Sequence, residues 1–302
     1  MTVMASGSLK GILHALGANT GIAIAKTIAA VATHSGSMMA EAIHSYADCA
    51  NQGLLLLGMK QAKRPETDDH PLGHGRVVYF WSLIVALMLF FVGGAFSVYE
   101  GIERLRHPHP LEHAFAAMLV LTVAIGLESF SLWGALTALK PERGSQTLMQ
   151  WARTTRQSEL LVVTGEDIAA LGGLIMALLG IGLTWLTGNL LFDALGSIGI
   201  GVLLMLVAIF ILVETKSLMV GESVSPELRH EIETFVAAQA EVEKVFRVIT
   251  LAWGEQMVIA VKAKMKSGYT ADEMVDAINV VEARMQEKWT NAKWVFFEPD
   301  VK

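Results

Sequence analysis

The sequence predicts an α-helical membrane protein, a six-span transmembrane bundle followed by a small cytoplasmic α+β domain of order αββαβ. Three observations carry that prediction. The chain of 302 residues is 53% hydrophobic and only 17% charged, with a mean hydropathy of +0.48, too apolar a balance for a soluble domain of this size. Apolar windows of about twenty residues or more recur through the first two thirds, each long enough to cross roughly 30 Å of hydrocarbon. Beyond Glu222 charged residues thicken and the apolar pattern changes to short or alternating runs.

In order, spans are expected at 9 to 32, 36 to 59, 77 to 104, 112 to 139, 159 to 187 and 190 to 216, which makes 1–220 a transmembrane domain and 221–302 a cytoplasmic one. Met1 to Lys10 carries one lysine and no small-residue cleavage pattern, so the first stretch is expected to be a retained span. The lack of an Arg-rich, Ser-rich amphipathic leader points to a bacterial inner membrane over a mitochondrial one. Lys60, Lys63, Arg64 and Arg76 flank the second-to-third connection, and Lys140, Arg143, Arg153 and Arg156 the fourth-to-fifth. Both loops, and with them both termini, are expected in the cytoplasm; Arg104 and Arg106 on the other side weaken the bias without reversing it.

In the last segment Ser225 is a good N-cap with Pro at the first helical position, opening a helix over Pro226 to Ala238. Val245 to Leu251 and Met257 to Met265 read as strands, and Thr270 to Trp289 as a helix with Thr270 and Glu273 spaced as a capping box. A last strand is expected near Trp294 to Phe297. A net charge of -6, with no basic cluster interleaved with aromatics, gives no support for nucleic acid as a partner. Cys49 is the only cysteine, so no intramolecular disulfide forms; beside Asp48 it reads as a small buried apolar side chain.

Ionisable residues inside spans are costly, so their placement is the best functional signal available. Span two holds Glu41, His44, Asp48 and Asn51, whose spacings of three and four put them along one stripe of a helix. Span five opens with Thr164, Gly165, Glu166 and Asp167, then a run of small residues, Ala169, Ala170, Gly172 and Gly173, that lets another helix approach closely. An imidazole nitrogen with carboxylate oxygens at about 2.0 to 2.2 Å suits zinc and also accepts Mn²⁺, Fe²⁺ or Co²⁺. For His44 taken alone, a packed histidine bonded to a neighbouring helix is an equal reading; Asp48 one turn later and an acid in span five favour the ligand.

Span one adds Asn19 and Lys26, span three Glu100, and span four Glu128. Lys26 is expected to pair with one of these acids and so to be structural, and Glu128 is either its partner or a proton relay. The second-to-third loop, Arg64-Pro65-Glu66-Thr67-Asp68-Asp69-His70-Pro71-Leu72-Gly73-His74-Gly75-Arg76, is a candidate second metal site through Asp68, His70 and His74, or a solvated polar loop. His107, His109 and His113 also cluster, beside Pro108 and Pro110 at a membrane edge, and read as interfacial.

Thr33 to Asp48, Thr-His-Ser-Gly-Ser-Met-Met-Ala-Glu-Ala-Ile-His-Ser-Tyr-Ala-Asp, resembles the second-span signature of the cation diffusion facilitator family, and Asp-Asp-His with Gly-His-Gly-Arg resembles its first cytoplasmic loop. Six spans and a soluble αββαβ domain extend the likeness over essentially the whole chain. Asn51-Gln52, Tyr79-Phe80-Trp81-Ser82-Leu83 and Glu166-Asp167-Ile168-Ala169-Ala170 look most like the branch that includes zinc transporter nine of animals. The resemblance implies a homodimeric exporter in the lipid bilayer that exchanges a divalent metal, most often Zn²⁺, for protons, with no resident cofactor and no enzymatic activity.

Carried over by position, the transport site is His44 and Asp48 with Asp167 facing them, and His70 and His74 match the loop spacing, with Asp68 standing in for an acid offset by Thr67. The family's usual fourth ligand falls on Val163, which cannot bind metal; water, Glu166, Asn51 or Thr164 would then complete the shell. The soluble domain holds His230 as its single histidine and Phe296, Phe297 and Glu298 near its end, so no binuclear zinc site is expected there. Trp294, Phe296 and Phe297 are candidates either for core packing or for a dimer contact. Ligands that must lose a proton to bind couple a proton gradient to release, with His44 the expected proton carrier. A membrane metalloenzyme and a metal sensor are the rival readings; no H-E-x-x-H stands in any span.

Overall fold

The computed structural model describes residues 19–301 apart from 109 and 112, so Met1 to Lys10, the part of the expected span one before residue 19, and His109 lie outside the described residues. α1 runs over 19–33 and ends at His34, whose φ of 53° is left-handed. α2 is Gly36–Ala62, α3 Val77–Met88, and a π-helical stretch, Leu89–Ala95, joins α3 to α4, Phe96–Arg106. α5 (Ala114–Arg143), the short α6 (Leu148–Thr154), α7 (Ser158–Thr187) and α8 (Leu191–Gly221) follow. The last segment is α9 (Pro226–Ala237), β1 (Val242–Trp253), β2 (Gln256–Met265), α10 (Ala271–Lys288) and β3 (Ala292–Pro299), the αββαβ order the sequence predicts.

Among the described residues four stretches are long and apolar enough to cross a bilayer: Val77–Arg106, Ala114–Thr137, Ser158–Thr187 and the helix that begins at Leu191. α2 is a 27-residue helix at the place of span two, but Glu41, His44, Asp48 and Asn51 dilute its apolar content. Large apolar side chains are exposed along the others, Phe115, Phe130 and Trp133 on α5, Leu186 on α7 and Leu206 on α8.

The chain forms two compact units. Among the described residues the first comprises 19–57, Trp81–Leu148 and Glu159–Glu214. Its core joins Met38, Leu55, Leu89, Leu121, Val162, Leu174, Ile181, Leu204 and Ile211. Glycines let its helices close: a Cβ on Gly94 would stand 2.5 Å from Met205 Cγ, one on Gly201 2.5 Å from Gly94 O, and one on Gly172 2.6 Å from Leu203 Cδ2. Asp193, in the first turn of α8, accepts from Ser35 Oγ at 2.7 Å, from Gly36 N at 2.9 Å and from the Ser37 hydroxyl, capping α2 from another helix.

The second unit holds Gly58–Phe80, Met149–Ser158 and Thr215–Lys302. Its sheet has the order β1-β2-β3, with β1 and β2 antiparallel and β2 and β3 parallel, so α10 is the crossover a parallel pair needs. Ile232, Val236, Ile259, Val261, Val281 and Met285 fill its core, where Phe297 packs while Phe296 is exposed. Tyr79 Oη accepts from Gly254 N at 2.9 Å, Arg76 lies over the Trp253 ring at 4.3 Å, and Arg156 pairs with Glu222 at 2.9 Å. Glu66 of the loop pairs with Lys293 of β3, which with its hydrogen bond holds the Glu66 carboxyl below its ordinary range.

Candidate functional site

The polar stripe of α2 faces the interior of the first unit. Glu41, His44 and Asn51 are fully buried, because 3.6 residues per turn stack positions 41, 44, 48 and 51 on one face. Gly173 lets that face approach α7: a methyl there would overlap Glu41 Oε1. The small-residue run after Asp167, read from the sequence as a helix approach, is used in this way.

A cavity of about 40 Å³, enough for an ion with little hydration, lies between these helices, lined by Asn19, Lys26, Ser45, Asp48, Gln52, Glu128, Val163, Glu166 and Asp167 among others. It therefore gathers four carboxylates, from α2, α5 and α7, with one ammonium from α1. Asp48 and Asp167, assigned together from the sequence, share it, and so does Val163, an apolar wall where the resemblance led one to expect a ligand.

His44 stands behind this lining, its Nδ1 3.5 Å from Asp48 Oδ1. Neither ring nitrogen has a hydrogen-bond partner among the described residues, nor has Asp48 Oδ1. Buried groups are nearly always bonded, so these orphaned atoms are free to engage an ion. The π-helical stretch Leu89–Ala95 passes alongside, with a Cβ on Gly93 placed 3.8 Å from His44 Nδ1; such stretches recur at functional sites. Among the described residues no three His, Cys, Asp or Glu side chains converge closely enough to hold one ion. The acids ring a cavity instead of meeting at a point.

Of the accessory residues, Asn51 Nδ2 donates to Glu166 Oε1 at 2.6 Å, and Thr164 is buried but does not line the cavity. Lys26 donates to Glu41 Oε2 at 3.0 Å and to Ser45 Oγ at 2.8 Å, so its partner is neither Glu100 nor Glu128. Glu100 pairs instead with Arg104 at 3.1 Å, which also donates to the His34 carbonyl. Glu128 joins the cavity wall. Sequence reasoning named Ser45 and Gln52 only within motifs and not as site residues, since neutral polar residues carry little signal in a span, and passed over Asp193, whose partners are more than 150 positions away.

In the loop, His70 and His74 stack with ring centroids 4.4 Å apart, and His74 Nδ1 lies 3.3 Å from Pro65 O. Asp68 and His70 are exposed. Two imidazoles thus come together, with Asp68 near in sequence but not joined to them as a triad.

The sequence matches the cation efflux transmembrane domain over residues 12–220, more than half of the chain and the whole of the region just described. The chain belongs to this family. Within the cation efflux family it is 38% identical over 204 residues to the mitochondrial proton-coupled zinc antiporter SLC30A9 of Xenopus laevis, covering 67% of this chain and 36% of that protein. The Homo sapiens protein of the same name is 35% identical over the same length. Metal tolerance protein C4 of Arabidopsis thaliana is 28% identical over 211 residues, 69% of this chain and 46% of that protein. The chain thus spans less than half the length of these relatives. The resemblance read from Thr33 to Asp48, from the loop and from span five, with its branch near zinc transporter nine, is borne out. The family is named for cation efflux, a transport activity and not an enzymatic one.

Proposed function

We propose that the protein moves a divalent metal cation, Zn²⁺ first among candidates and Mn²⁺, Fe²⁺ or Co²⁺ as alternatives, out across a membrane in exchange for protons. The observation that carries this reading is the shared cavity of Asp48 and Asp167, with His44 at 3.5 Å from Asp48 and its ring nitrogens unbonded. Relatives named proton-coupled zinc antiporters support both the ion and the proton. In this reading the ion is held by His44, Asp48 and Asp167, and water, Glu166, Asn51 or Thr164 supplies what Val163 cannot. Small rotations of α2 against α7 bring the ligands onto the ion, and protons arriving from the far side displace it, since each ligand binds metal only when deprotonated.

The proposed frame is six spans in residues 1–220 with a cytoplasmic domain over 221–302, both termini inside, working as a homodimer in the lipid bilayer. Asp68, His70 and His74 form a proposed second, cytoplasmic site, supported by the stacked imidazoles. The proposed setting is a bacterial inner membrane; a mitochondrial membrane, as in the relatives' names, is the alternative, and fractionation of source cells separates the two. A metalloenzyme or a sensor built on the same ligands has no support from the family.

The test is reconstitution in liposomes under an imposed pH gradient, with Zn²⁺, Mn²⁺ and Fe²⁺ followed by a chelating dye. Gradient-dependent uptake is expected, lost in Asp48→Ala and in Asp167→Ala. Normal rates in both variants would refute the site. Val163→His is expected to change ion preference.

A further inference from the structure

The least expected occupant of the cavity wall is an ammonium. Lys26 is only 3% exposed, and it lines the same space as Asp48, Glu128, Glu166 and Asp167. Its two bonds point in different directions. Ser45, at 2.8 Å, is itself a lining residue three positions before Asp48, whereas Glu41, at 3.0 Å, lies outside the lining and against Gly173 of α7. The Lys26–Glu41 pair is therefore an oriented dipole with its positive end toward the cavity.

A stabilising role explains this poorly, because a buried ion pair is often no better than apolar residues of the same volume. A fixed positive charge beside four carboxylates has a different consequence: it offsets part of their charge when no ion is present and opposes a divalent cation when one enters.

We infer that Lys26 is a tethered competitor for the transported ion, neutralising part of the empty cavity and keeping affinity for divalent metal low enough for release. It touches no ion and acts through the field. The inference rests on the transport reading above. Glu41 and Ser45 hold the ammonium in place at the cavity wall.

The test uses the full chain, unaltered and as Lys26→Arg, Lys26→Met and the double variant Lys26→Met with Glu41→Gln, which does not leave Glu41 as a buried acid without its partner. Zn²⁺ alone is the probe, by equilibrium dialysis in detergent and by uptake in liposomes. Both Met-containing variants are expected to bind Zn²⁺ about tenfold tighter, with KM and saturated turnover both lowered, while Lys26→Arg keeps the unaltered values. If the unaltered chain carries Zn²⁺ and both Met variants keep its affinity and KM, this inference is overturned and the transport reading stands. Full turnover in the double variant, the behaviour of a merely structural pair, would overturn it in the same way. If no form binds or carries Zn²⁺, both fall together.

Discussion

Asn51 of α2 donates a 2.6 Å hydrogen bond to Glu166 of α7, joining the two helices that carry the candidate ligands. Both residues are buried, so the bond satisfies a carboxylate that water reaches poorly. Asn51→Ala removes the donor and leaves that carboxylate unmatched, a loss of about 1–3 kcal/mol. We predict a lower melting temperature in detergent for Asn51→Ala and a smaller drop for Glu166→Gln, whose amide still accepts the bond. Unchanged melting in Asn51→Ala would show that the bond does not tie the helices.

The Asn51–Glu166 pair also marks how far the sequence could be read. The stripe 41, 44, 48, 51 is legible because helical periodicity is local, and so are the caps at Ser225 and Thr270, which the structure uses as expected. Which acid meets which cation is set by packing between helices, and there the sequence misleads for Lys26: Glu41 takes it, since α2 lies against α1 at that level. The π-helical stretch Leu89–Ala95 is likewise invisible in the sequence, because Gly93 and Gly94 permit it without requiring it. The cavity depends on four helices at once, so its lining is legible only for residues whose charge already marks them.

Asp193 gives a prediction that separates folding from transport. Its carboxylate accepts from Ser35, Gly36 and Ser37 at the start of α2, and it does not line the cavity. Asp193→Ala strands these buried donors and is expected to destabilise the protein by about 2–4 kcal/mol. Asp193→Asn keeps an acceptor oxygen and should lose roughly half as much. The fraction of Asp193→Asn that stays folded should carry Zn²⁺ with an unaltered KM in the liposome assay. A changed KM with unchanged melting would place Asp193 in the transport path instead.

Gly173 tests the close approach of α7 to α2. A methyl there overlaps Glu41 Oε1, and Glu41 is held by Lys26, so the acid cannot move without breaking its pair. Gly173→Ala is expected to lose about 1–3 kcal/mol through overpacking. Gly134→Ala on α5, where a Cβ meets nothing within 4 Å, should be neutral or slightly stabilising, as a helix prefers alanine. Equal melting temperatures for the two variants would contradict the helix approach.

The capping box of α10 predicts a local acid sensitivity. The Thr270 backbone N–H donates to Glu273 Oε2 at 2.8 Å and the Thr270 hydroxyl at 2.9 Å, and these bonds hold the Glu273 carboxyl below its ordinary value of 4.5. A depressed folded value means the bonds contribute fully above the ordinary glutamate range and are lost as pH falls through the lowered one. Amide protection in the first turn of α10, followed by hydrogen exchange and corrected for the intrinsic rate, should therefore fall between about pH 5 and pH 3. Glu273→Gln has no charge to titrate and should show a flat profile over the same interval, with lower protection at neutral pH. Identical pH profiles for the two proteins would mean that the box does not hold the start of this helix.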